Sequence, residues 1–219
     1  MSVTAQITEL LTTLPQNVTL VAVSKFHPVE AIREAYDAGQ RIFGESRPQE
    51  LTFKVPQLPT DVEWHMIGHL QTNKVKMIAP FVSLIHSVDS ARLVAEIDRQ
   101  AAKCERVIDV LFEVHLAEDE SKSGWDKEEL LEFIHSGALA EFRNIRVRGL
   151  MTIGTLTDDI ELNKEEFRTL RALFEQLRSN FGEEFDTVSM GMTSDYMEAI
   201  ECGSTMVRIG SKIFGERTY

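Results

Sequence analysis

Short apolar runs alternate with helical patterns along almost the whole chain, and that alternation is its main organising signal. Eight runs read as strands: residues 20–24 (LVAVS), 41–44 (RIFG), 63–68 (EWHMIG), 83–88 (SLIHSV), 107–115 (VIDVLFEVH), 145–153 (IRVRGLMTI), 187–191 (TVSMG) and 206–211 (MVRIGS). A helix is expected ahead of the first run, and others between the runs. Over 28–38, Pro28 suits the first helical position and Gly39 the residue past the end. Shorter helices are expected over 48–54 and around 73–79, separated by a surface turn at VPQLPTD. Asp89 is the expected cap of a helix that places Leu93, Ile97 and Ala101 on one face. Asp126 and Glu129 resemble a capping pair for a helix ending near Gly137. The longest helix carries an apolar stripe of Phe167, Leu170, Phe174, Leu177 and Phe181, and a short one spans 195–202 before Gly203.

Eight alternating units of this kind close most naturally into a single α/β domain over residues 1–219, a (β/α)8 or TIM barrel. An open doubly wound sheet is the alternative, weakened by the lack of a dinucleotide fingerprint.

Composition narrows the function classes. The formal charge of −12 over 219 residues offers no basic face for nucleic acid or anionic lipid. Two cysteines outside any CxxC pair speak against disulfide or Cys-rich metal frameworks, and for a reducing compartment. No signal-like N-terminus and no stretch of roughly 20 apolar residues occurs, so a cytoplasmic protein is expected. His65 and His69 are four apart, yet strand and turn spacing suits them better than a zinc-binding helix, and HExxH is absent. No metal is expected. His86 and His115 are read as packing or hydrogen-bonding near strand ends, and the lack of a P-loop argues against nucleotide enzymes.

In a barrel, chemistry gathers at the C-terminal ends of the strands. Lys25 stands there at the end of the first run, either as a surface lysine or as an amine that desolvation turns into a nucleophile for a carbonyl. Met192, Thr193 and Ser194 follow the seventh run, and Gly210 and Ser211 close the eighth. These residues form either an ordinary helix cap or a phosphate cradle. Arg208 shares a strand face with Gly210 and needs an acceptor, from a ligand ring nitrogen or a buried carboxylate. Loop lysines Lys74 and Lys122 are solvated charges or attractors of a phosphorylated ligand.

The segments LVAVSK, IFGES, EWHMIGHLQTNK, SKSG, RGLMTI and GMTSDYMEAIECGSTMVRIGSKIFGER run in order through nearly the entire chain. Together they resemble the pyridoxal-phosphate homeostasis protein family (the YggS/PROSC family). The resemblance implies an alanine-racemase-like barrel that carries pyridoxal 5'-phosphate (PLP) as a Schiff base on Lys25. It places Thr193, where the family usually has serine, at the phosphate with Gly210 and Ser211, and Arg208 at the pyridine nitrogen. Met151, Met192 and Ile209 complete the expected cofactor contacts. The family's GEN is here Gly44-Glu45-Ser46, so Ser46 is a shorter substitute for an asparagine beside the ring.

An arginine cannot accept a hydrogen bond, so Arg208 would keep the ring nitrogen unprotonated and restrain carbanion chemistry. An amino-acid racemase is the alternative. It needs a second acid or base opposite the lysine, which alanine racemases take from a tyrosine of a separate domain. The sequence closes soon after the eighth run, and Tyr36, Tyr196 and Tyr219 are no obvious substitutes. The expectation is therefore a non-enzymatic PLP carrier serving vitamin B6 homeostasis. Its partners would be PLP and PLP-dependent apo-enzymes as acceptors, with no nucleic acid or membrane, and the chain is expected to be a monomer. A plain protein-interaction module remains a further alternative.

Overall fold

A computed structural model describes residues 2–116, 123–155 and 157–215. The eight runs form eight parallel strands, each hydrogen-bonded to the next, with the last pairing the first to close a barrel. They are β1 (Thr19–Val23), β2 (Ile42–Glu45), β3 (Glu63–Met66), β4 (Leu84–Val88), β5 (Ile108–Glu113), β6 (Ile145–Met151), β7 (Thr187–Met192) and β8 (Met206–Ile209). Most are shorter than their apolar runs. Residues such as Ile67 and Ile153 lie past the ends of β3 and β6 and wall the mouth of the barrel instead.

The helices are α1 (Val3–Thr13), α2 (Val29–Asp37), α3 (Pro48–Lys54), α4 (Val75–Ile78), α5 (Ala91–Lys103), α6 (Lys127–His135), α7 (Ile160–Phe181), α8 (Tyr196–Glu201) and α9 (Ser211–Phe214). The stripe on α7 is buried through Phe167, Leu170, Phe174 and Leu177, while Phe181 is partly covered. Burying one such side chain stabilises the fold by about 1.5–3 kcal/mol, so this face ties α7 to the barrel wall.

Several local details differ from expectation. Ser90, not Asp89, caps α5 by accepting from the Leu93 N–H, and Asp89 instead pairs with His69 at 3.1 Å. Pro28 is the N-cap residue of α2 rather than its first helical residue. The VPQLPTD turn contains a short 3-10 helix, Val55–Gln57. Asp126 caps α6 as expected, accepting from the Glu128 and Glu129 backbones.

The barrel register is irregular at β6. Between β5 and β6 the register moves from Val110 opposite Val147 to Leu111 opposite Gly149, so Arg148 is an extra residue on β6. Gly149 has φ +155, and a Cβ there would lie 1.7 Å from the Thr187 carbonyl oxygen. Only glycine lets β6 and β7 approach at this point.

The core has two parts. The larger lies between the helices and the outer face of the barrel, and the smaller fills the barrel with Val21, Leu84, Leu111, Met151 and Met206. The barrel interior also contains polar side chains: Arg208, Ser189, His86 and His65 are 4%, 0%, 0% and 3% exposed.

Candidate functional site

At the C-terminal mouth of the barrel lies a cavity of about 400 Å³. Lys25, Ser46, Met192, Thr193, Arg208, Gly210 and Ser211 all line it, joined by Val23, Ile67, Ile153 and Ser194. Seven of the nine residues expected at the cofactor therefore converge on one space. The other two do not line it. Met151 is buried one layer deeper among the interior apolar residues, and Ile209 is buried in the core outside the barrel. Ile153 takes the wall position nearest to that expected of Met151.

Lys25 lies two residues past the end of β1, and the backbone on either side of it is clamped. The Ser24 N–H donates to the Gly44 carbonyl at 3.0 Å, and the Ser24 carbonyl accepts from Lys54 Nζ at 2.9 Å. The Phe26 N–H donates to Glu50 Oε1 at 2.7 Å. Phe26 itself has φ +68, a left-handed conformation that costs a non-glycine residue about 1–3 kcal/mol and persists only where neighbours enforce it. The enforcing group is a buried cluster: Lys54 Nζ lies 2.7 Å from both Glu45 Oε1 and Glu50 Oε1, and Ser24 Oγ donates to Glu45 Oε1 at 2.6 Å. Burial pushes the Glu45 carboxyl up to about 7, against the opposing pull of Lys54. The sequence pattern alone does not announce this cluster. The i,i+4 spacing of Glu50 and Lys54 beside IFGES was the available signal.

Arg208 reaches into the mouth from β8. Its Nη1 donates to Ser189 Oγ at 2.6 Å and its Nη2 to the Thr152 carbonyl at 2.8 Å. Burial lowers its pKa to about 10, countered by the carboxylates of Asp195 and Glu113. Two of the guanidinium's five N–H groups are thus committed to protein. Among the described residues Arg208 pairs with no carboxylate, so its direct acceptors there are a hydroxyl and a carbonyl.

On the phosphate-cradle side, the Gly210 N–H donates to Thr193 Oγ1 at 3.1 Å. A Cβ on Gly210 would come within 3.2 Å of the Val23 carbonyl oxygen, so glycine keeps this corner open. Asp195 accepts from the Met192 N–H, and burial raises its carboxyl above the ordinary range.

The remaining candidates fall elsewhere. His65 points inside the barrel while His69 faces outward to Asp89, so the pair does not converge. His86 sits within β4, hydrogen-bonded to both His65 and Ser189, rather than near a strand end. Lys74 does not line the mouth, and Lys122 lies outside the described residues. Tyr36 donates to Asp61 on the outer surface and Tyr196 does not line the mouth. Tyr219 lies outside the described residues.

A family model described as alanine racemase, N-terminal domain, matches residues 2–218. Proteins named pyridoxal phosphate homeostasis protein match at similar length. The one from Aquifex aeolicus is 43% identical and the one from Escherichia coli 39%, with 91% and 94% of this chain covered and 87% and 88% of theirs. The chain belongs to the pyridoxal phosphate homeostasis protein family.

A solved member of the family's fold, PipY of Synechococcus elongatus, is 36% identical and superposes over 98% of this chain and all of its own. Its TM-score is 0.91 in the structure without PLP and 0.89 in the one with PLP bound. Alanine racemase from Streptomyces lavendulae matches at 17% identity and a TM-score of 0.79, covering 97% of this chain and 56% of its own. That likeness concerns the fold. Among the described residues no helix is long and apolar enough to cross a membrane.

Proposed function

We propose that this protein binds PLP in the mouth of its barrel, holds it as a Schiff base on Lys25, and serves PLP homeostasis without robust catalysis of its own. The observation that carries the reading is the convergence of Lys25, Arg208, Thr193, Gly210 and Ser211 on one cavity. Similarity to homeostasis proteins and to a PLP-bound neighbour supports the same ligand.

The residues present fit that ligand. Bound PLP supplies an aldehyde that a lysine amine can capture and a ring that withdraws electrons when its nitrogen is protonated. A cavity of about 400 Å³ suits a single small cofactor. Ile67, Ile153, Val23 and Met192 would give the ring apolar walls. Thr193, Ser194 and Ser211 supply hydroxyls for the phosphate, and Gly210 permits close backbone approach. Lys25 and Arg208 line the same space, and the N–H groups of Arg208 not bonded to Ser189 and Thr152 would serve the ring end. Ser46, which lines the cavity, would meet the ring with a shorter reach than asparagine.

The same geometry restrains reactivity. Arg208 only donates, so it keeps a proton off the ring nitrogen. No tyrosine among the described residues lines the mouth to act as a second acid or base. The expected setting is cytoplasmic and monomeric, with PLP-dependent apo-enzymes as acceptors.

Protein incubated with PLP and desalted is expected to retain one equivalent per chain. The loaded protein is expected to racemise or decarboxylate amino acids no faster than free PLP. Failure to retain PLP would contradict the binding reading, and a robust rate with any amino acid would contradict the non-enzymatic one.

A further inference from the structure

Arg208 is the upper end of a hydrogen-bonded chain that crosses the inside of the barrel. Its Nη1 lies 2.6 Å from Ser189 Oγ, which lies 3.0 Å from His86 Nδ1. His86 Nε2 lies in turn 3.0 Å from His65 Nδ1. The four side chains come from β8, β7, β4 and β3. His65 also lines a second cavity, of about 520 Å³, at the opposite end of the barrel, beside Asp109, Arg148 and Asp186. The chain therefore joins the mouth to the space below it.

Its polarity follows from which atoms can donate. A guanidinium has no acceptor, so Ser189 Oγ accepts from Arg208. Ser189 is fully buried, and among the described residues the acceptor its own proton meets is His86 Nδ1, at 3.0 Å. His86 must then carry its proton on Nε2 and donate to His65 Nδ1. This leaves His65, which lines the lower cavity, with its proton on Nε2. Reversing the direction would strand the Ser189 proton without a partner in a dry interior, which is costly. Both rings must be neutral for this order. Burial holds them so, lowering His65 to about 3 and His86 well below its ordinary value.

We propose that Ser189, His86 and His65 are positioning residues for Arg208, forming a one-way donor chain that fixes the guanidinium at the cofactor mouth and runs to the lower cavity. The chain commits one Nη1 proton downward, and the Thr152 carbonyl commits one Nη2 proton sideways. Together they fix the guanidinium plane of a residue that also lines the mouth. Each bond polarises the next, so a neutral chain also spreads part of the buried positive charge away from the ligand. The role toward PLP rests on the binding reading above, whereas the polarity of the chain does not.

The test has two arms. Ring-nitrogen NMR of the cofactor-free, 15N-histidine-labelled protein is expected to show His65 and His86 as neutral Nε2–H tautomers. Ser189→Ala is expected to lose that single tautomer at His86, and Ser189→Thr to retain it. An Nδ1–H or charged His86 in the wild type would overturn the chain. In the second arm Ser189→Ala is loaded with PLP, fixed with borohydride and compared by spectrum and retention. Attachment to Lys25 persists, the cofactor's visible band shifts, and retention weakens by about tenfold, the effect of losing a hydrogen bond to a charged group. Ser189→Thr restores both. Wild-type band and retention in Ser189→Ala would overturn the positioning role. If the wild type itself took up no PLP, the binding reading would fail while the NMR arm still decided the chain.

Discussion

Replacing Lys25 by alanine is expected to abolish borohydride-fixable attachment of PLP while leaving the barrel folded. Lys25 is partly exposed at the mouth, and the clamps beside it act on the backbones of Ser24 and Phe26, which the substitution keeps. Unfolding midpoints should therefore move little. Lys25→Arg separates charge from chemistry. It keeps a cation in the mouth, but a guanidinium does not condense with an aldehyde as an amine does. The expected result is no covalent label in either variant, with weak, dialysable PLP uptake in Lys25→Arg. Full retention of a fixable adduct in Lys25→Ala, measured by intact mass after reduction, would move the anchor to another lysine.

The second large effect is expected at a residue that never touches the cavity. Lys54 is 3% exposed and Glu45 fully buried, and the two meet at 2.7 Å. Lys54→Met leaves a buried carboxylate with Ser24 as its remaining partner and frees the Ser24 carbonyl. Breaking a buried pair in this way costs about 3–5 kcal/mol. For a domain of this size that lowers the melting temperature by roughly 6–20 °C. The loss depends on pH with a definite sign. Glu45 is raised from 4.5 to about 7 in the folded protein. Between those values the folded state therefore binds more protons than the unfolded one, and stability falls as pH rises. Removing Lys54 raises the carboxyl further, so the deficit of the variant is expected to widen from pH 5 to pH 8. Lys54→Met combined with Glu45→Gln should recover part of it. The buried histidines act with the opposite sign at acid pH, so the comparison is variant minus wild type at each pH. An equal deficit at all pH values would mean that Glu45 is not the group responsible.

The sequence made the scaffold legible because the scaffold obeys local rules. Alternating apolar runs and helical stripes located all eight strands, and Pro48–Lys54 forms the expected helix. Lys25, Thr193, Arg208 and Ser211 share the mouth because strand ends in a closed barrel must face one side. What escaped depends on register between distant strands. Met151, at the end of β6, lies below the mouth, and Ile153, past that end, lines it; Arg148 is an extra residue at the Gly149 bulge, which no periodicity within β6 announces. The chain from Arg208 to His65 needs four strands to bring four side chains into line across the interior. In the sequence each of those residues is merely a polar position within or beside an apolar run. The Glu45, Glu50 and Lys54 clamp is likewise a tertiary contact, joining the end of β2 to α3 and to the turn after β1.

The most direct test of the central claim is to load the wild-type protein with PLP, record its visible spectrum before and after borohydride, and map the modified peptide. The account predicts a cofactor band that borohydride bleaches and one pyridoxyl-phosphate group, on Lys25 alone. No band after loading, or a label on any other lysine, would contradict it.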